Sequence, residues 1–89
     1  MNITFDAVKE AANLAKHGIS LAMASELEWE TALIWPDKRR DYGEIRMIGH
    51  VLKSTRLYCV VFTDRGQVRR IISLRKANER EVRDYVAQN

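Results

Sequence analysis

Cysteine and proline each occur once in this 89-residue chain, and glycine only four times. A single cysteine excludes an internal disulfide frame, and the setting of Cys59 in Tyr58-Cys59-Val60-Val61-Phe62 marks it as a buried, inert thiol. No CxxC or HExxH pattern is present. The two histidines, His17 and His50, stand 33 positions apart, a weak case for a metal, so neither a metal nor another cofactor is expected. No apolar run approaches the ~18 residues of a membrane span. The opening MNITFDAVKE carries charge by Asp6 and has no apolar core of the kind a signal peptide needs, which leads to the expectation of a cytoplasmic protein with no membrane association. Repeats, low-complexity stretches and Pro/Gly-rich linkers are absent, so residues 1–89 read as one domain.

What is present is an ordinary globular composition, 46% hydrophobic and 30% charged. A chain of this length hides roughly 60% of its unfolded surface on folding. Net charge is a modest +3, but it is unevenly spread. Residues 1–30 hold two cations against five carboxylates, residues 31–64 six against four, and residues 65–89 seven against three. A basic C-terminal half points to a polyanion or an acidic partner, against the plainer reading of a surface made soluble by arginine.

The most informative stretch is Val68 to Tyr85. Val68, Ile71, Ile72 and Leu74 supply strand residues after the turn signal Asp64-Arg65-Gly66-Gln67, and Arg69, Arg70, Arg75 and Lys76 crowd the same strand. Strict alternation places Arg69, Ile71, Ser73 and Arg75 on one face and Val68, Arg70, Ile72 and Leu74 on the other. Asn78 then caps a helix with Glu79 and Glu81 in its first turn and Val82, Tyr85 and Val86 at helical spacing.

Upstream, Ile3-Thr4-Phe5 predicts a short strand, and Asp6 caps a helix to about His17 that is closed by Gly18. Val8, Ala11, Ala12 and Ala15 form its expected buried stripe, with Asn13, Lys16 and His17 on the polar face. Ser20 caps a second expected helix to about Trp29, with Leu21, Ala24 and Leu27 facing inward. Ala32 to Trp35 predicts a strand, and Lys38 to Gly43 a polar loop. Along residues 44–51, Ile45, Met47, Gly49 and Val51 share one face, with Glu44, Arg46, Ile48 and His50 on the other. Leu57 to Thr63, apolar on both faces, is the central strand. The expected fold class is α+β: two N-terminal helices, an antiparallel meander and a C-terminal helix.

Three clusters can carry chemistry. Asn13, Lys16 and His17 offer a titratable imidazole beside a cation, though both also complement a helix C-terminus. Glu44, Arg46 and His50 share a strand face that can equally be a wet sheet surface. Arg69, Arg70, Arg75 and Lys76, with Glu81 and Tyr85 a helical turn apart, offer phosphate-binding forks, or an Arg75–Glu81 pair that pins helix to strand. Tyr42 and Trp35 can stack on bases or pack. Together these are ingredients for metal-free RNA cleavage, which needs a base for the 2′-OH, cations for the phosphorane and an acid for the leaving oxygen.

Phe5-Asp6, Asn13-x-x-Lys16-His17-Gly18-Ile19-Ser20 and Asp41-Tyr42-Gly43-Glu44-x-Arg46-x-x-Gly49 occur in order with Val61-Phe62-Thr63, Arg70-Ile71-Ile72-Ser73-x-Arg75-Lys76-Ala77 and Glu81-x-x-x-Tyr85. Taken together, nearly end to end, the chain resembles the BrnT toxins, the ribonuclease half of BrnT–BrnA type II toxin–antitoxin pairs. The resemblance implies a RelE-like fold and a bacterial endoribonuclease that cuts RNA without metal and blocks translation. It also implies a cognate BrnA-like antitoxin, dimeric and DNA-binding, through which alone the toxin meets DNA. Its functional positions map to Lys16, His17, Glu44, Arg46, Arg75, Glu81 and Tyr85 as catalytic candidates, and Asn13, Arg69, Arg70 and Lys76 are RNA-binding candidates. A non-catalytic nucleic-acid-binding module and a protein-interaction domain with a basic groove stand as alternatives. Neither requires a titrating pair such as His17 and Glu44.

Overall fold

The computed structural model describes residues 1–89. Its elements run β1 (Asn2–Thr4), α1 (Ala7–His17), a 3₁₀ turn (Leu21–Glu26), β2 (Glu28–Pro36), β3 (Met47–Lys53), β4 (Arg56–Arg65), β5 (Val68–Lys76) and α2 (Glu79–Gln88). The strands form one sheet in the order β1-β5-β4-β3-β2. The strands β2 to β5 make the expected antiparallel meander, while β1 adds a parallel edge to β5. No helix is long and apolar enough to cross a membrane.

One face of the sheet carries the core. Val51 from β3, Val60 and Phe62 from β4, and Ile71 and Leu74 from β5 are fully buried under Leu21 and Ala24 of the 3₁₀ turn. Burial of each large side chain is worth roughly 1.5–3 kcal/mol relative to exposure. Trp29 closes this layer edge-on against Phe62, with ring centroids 5.4 Å apart, and its indole N–H donates to the carbonyl of Ala24. Gly49 sits in the same layer, where a Cβ would come within 3.3 Å of Val60, so the absence of a side chain there lets the strands pack.

The expected second helix is a short 3₁₀ turn. Ser20 caps it and Leu21, Ala24 and Leu27 point into the core as expected, but the chain turns extended at Glu28 and Trp29 joins β2. The run from Glu28 to Thr31 holds β-branched and aromatic residues that serve the sheet better than a helix.

The first helix has the expected limits, with Asp6 accepting from the Lys9 N–H and Gly18 in the left-handed region at φ 70°. Its orientation is the reverse of the expected one. Val8 is 79% exposed and Ala11, Ala12 and Ala15 lie outward, while Asn13, assigned to the polar face, is 4% exposed. The cause is backbone hydrogen bonding. The amide of Asn13 donates to the carbonyls of Leu74 and Ile19 and accepts from the Leu74 N–H, which pairs the edge of β5 where β1 has ended. Glu10 accepts from the Ser20 hydroxyl and the Leu21 N–H. Leaving such groups unpaired in a buried setting costs about 1–3 kcal/mol each, more than a few alanine methyls return.

In β5 the alternation breaks. The pairing runs Cys59 with Arg75, Val60 with Leu74 and Val61 with Ser73, then Phe62 with Ile71, so Ile72 is an extra residue. A bulge of this kind turns every side chain before it to the other face. Ser73 and Arg75 therefore lie on the face opposite the core, whereas Ile71 packs into the core and Arg69 stacks over the rings of Trp29 and Phe62. The expected common face of Arg69, Ile71, Ser73 and Arg75 does not exist.

Candidate active site

The second face of the sheet is the floor of an open groove of about 780 Å³. Ile48 and His50 from β3, Cys59 and Val61 from β4, and Ser73 and Arg75 from β5 form the floor. Lys9, Lys16 and His17 come from α1, and Arg80, Glu81 and Asp84 from α2, while Trp35 and Arg39 line the side of β2. Helix α2 is held across the sheet because the Tyr85 hydroxyl donates to the carbonyl of Thr31 in β2. Five cations face two carboxylates in the groove, so it attracts polyanions although the net charge of the chain is modest.

At its centre, Arg75 donates through Nη1 and Nη2 to the two carboxylate oxygens of Glu81, at 2.8 and 2.9 Å, and Nη1 also donates to the Lys76 carbonyl. Glu81 closes the cap of α2 as well, accepting from the Asn78 N–H while Asn78 accepts from its own. The guanidinium holds the Glu81 carboxyl at a pKa of about 2, and Glu81 in turn raises that of Arg75. A guanidinium has five N–H donors. Glu81 and Lys76 account for three, and the Nε–H and outer Nη2–H remain as a parallel pair suited to two phosphate oxygens.

Two imidazoles flank this pair. His17 has its pKa lowered, first by burial, then by the positive charges of Lys16 and Arg75. His50, 7% exposed, has its pKa lowered by burial more than the nearby Glu81 raises it. Its Nε2 lies 3.6 Å from Oε2 of Glu81, and its ring meets the edge of Trp35 at 4.7 Å. Both imidazoles are neutral near pH 7 and able to accept a proton. A ring nitrogen of His50, Sγ of Cys59 and a carboxylate oxygen of Glu81 lie within 4.8 Å of one another, a set that sequence spacing does not reveal.

Of the catalytic candidates, Lys16, His17, Arg75 and Glu81 meet in this groove. Glu44, Arg46 and Tyr85 do not line it. Residues 44–46 precede β3, and Glu44 binds Arg65 at 2.8 Å. Arg46 lies over the Tyr42 ring, whose hydroxyl donates to Asp37; two further donors from the Arg39 side chain hold Asp37 well below the usual carboxylate range. Tyr85 is buried, with its hydroxyl committed to Thr31. Among the RNA-binding candidates, Asn13 reaches the groove but its amide is spent on backbone groups. Arg69 pairs with Asp64, Arg70 with Asp6, and exposed Lys76 is outside the groove lining. His50, which alternation grouped with Glu44 and Arg46 but which is outside the catalytic candidates, lies in the groove without those two partners, and Arg39 and Lys9, in neither candidate set, line it as well.

A family model described as ribonuclease toxin, BrnT, of type II toxin–antitoxin system matches residues 5–81. Among solved structures, the crystal structure of the Brucella abortus ribonuclease toxin BrnT aligns with a TM-score of 0.69 at 27% identity, over 89% of this chain and 99% of that one. A search of curated proteins finds no match.

Proposed function

The chain belongs to the family of BrnT ribonuclease toxins of type II toxin–antitoxin systems, and from that premise we propose that its groove cleaves RNA by metal-independent attack of a 2′-OH on the adjacent phosphate. The single observation that supports this site is the unpaired Nε–H/Nη2–H edge of Arg75 in a basic groove that also holds the neutral imidazole of His17. In this reading His17 takes the 2′-OH proton as the O2′–P bond forms. Arg75 binds the non-bridging oxygens, whose charge grows in the phosphorane. The P–O5′ bond then breaks, the Lys16 ammonium protonates the leaving oxygen, and solvent returns the His17 proton to Lys16. The products are a 2′,3′-cyclic phosphate and a 5′-OH. Glu81, ionised down to about pH 2, is too weak a base for this step and acts by aiming Arg75.

The same reading makes residues 1–89 one RelE-like domain that inhibits translation in the cytoplasm and is neutralised by a dimeric, DNA-binding BrnA-like antitoxin. Induction of the chain alone in a bacterium should arrest growth and protein synthesis, with relief by the co-expressed antitoxin. Unimpaired growth with folded protein abundant in the lysate would overturn the reading.

A further inference from the structure

His50 and Cys59 are directly opposite each other on β3 and β4, and Glu81 reaches them from the first turn of α2. None of the three moves a proton in the cleavage scheme. Their donor atoms are an imidazole nitrogen, a sulfur and a carboxylate oxygen, all within 4.8 Å of one another, with Nε2 of His50 and Oε2 of Glu81 at 3.6 Å. A tetrahedral Zn²⁺ bound to N, S and O at about 2.0–2.3 Å separates its ligands by roughly 3.3–3.7 Å. The observed spacing needs only a small closure, and two of the ligands stand on paired strands that fix their positions. All three side chains line the open groove, so a fourth position faces solvent.

The geometry points to a regulatory Zn²⁺ site formed by His50, Cys59 and Glu81, whose occupation switches the groove off. Binding forms a Zn–S bond to Cys59 and releases the thiol proton to solvent. The ion takes the Glu81 oxygen that now accepts from Nη2 of Arg75, so Arg75 loses one arm of its two-point clamp. A dication beside the guanidinium then repels it from the position in which its free edge meets a phosphate. The mixed nitrogen, sulfur and oxygen set selects a borderline-soft ion over Mg²⁺. The inhibitory half of this inference rests on the ribonuclease reading; the binding half does not.

Cobalt(II) alone, added to chelator-stripped protein, tests the site. One equivalent should give a thiolate-to-cobalt charge-transfer band that Zn²⁺ abolishes by displacement and excess Mg²⁺ leaves intact. Cys59→Ser should lack the band. Zinc should slow single-turnover RNA cleavage by at least about tenfold, in proportion to the lost support of Arg75, and Cys59→Ser should cleave normally but resist zinc. No band on the unaltered protein, or equal zinc inhibition of Cys59→Ser, overturns the proposal. A Zn²⁺-displaceable band in a metal-free protein that never cleaves RNA upholds the site and overturns the ribonuclease reading instead.

Discussion

Glu81 joins three parts of the molecule: it accepts both arms of Arg75, caps α2 through the Asn78 N–H, and approaches His50. Its folded pKa of about 2 lies below the ordinary 4.5, so it contributes stability that is complete above about pH 4.5 and lost as pH falls toward 2. Glu81→Gln should therefore flatten the acid limb of the melting temperature between those values, as thermal unfolding over a pH series will show. An unchanged acid limb would mean that Glu81 is free of Arg75 in solution. The imidazoles act at higher pH. Both His17 and His50 have folded pKa values lowered from 6.5, so each adds stability as pH rises toward 6.5 and takes it away below.

At the scale of the element, α1 is hung on β5 by the Asn13 amide and on the 3₁₀ turn by the Glu10 carboxylate instead of by an apolar stripe. Asn13→Ala strands the buried N–H and carbonyl of Leu74, at about 1–3 kcal/mol per group. Val8→Ser, on the face that periodicity marks as core, should stay within about 0.5 kcal/mol. Urea unfolding of the two variants separates these outcomes, and the reverse order would restore the periodic reading. The caps at Asp6, Ser20 and Asn78 and the stop at Gly18 were all legible, because each depends on residues within one turn. The rotation of α1 was not, because it answers an unpaired edge 61 residues away. Nor was the split of β5: Ile72 looks like any strand residue, and only its pairing with β4 makes it a bulge. The candidate site was half legible for the same reason. Lys16-His17 and the Arg75–Glu81 pair are local signals, whereas His50 beside Cys59 exists only once the register of β3 and β4 is set.

At the scale of the whole molecule, the sheet divides labour between its faces, with an apolar layer under the 3₁₀ turn and a cationic groove between the helices. On the proposed mechanism the groove would bind RNA through charge and cleave it through one neutral base, and the two can be measured apart. Arg75→Ala should weaken RNA binding, lower the salt slope by about 0.7 for one lost single-strand phosphate contact, and slow cleavage roughly a hundredfold. The most direct measurement of the central claim is single-turnover cleavage by His17→Gln in EDTA, alongside equilibrium RNA binding and circular dichroism of the same variant. The prediction is brisk cleavage by the unaltered protein under chelation and a loss of about 10²–10⁴-fold in the variant, with fold and RNA affinity unchanged. Full cleavage by folded His17→Gln, or loss of all cleavage by the unaltered protein in EDTA, would contradict it.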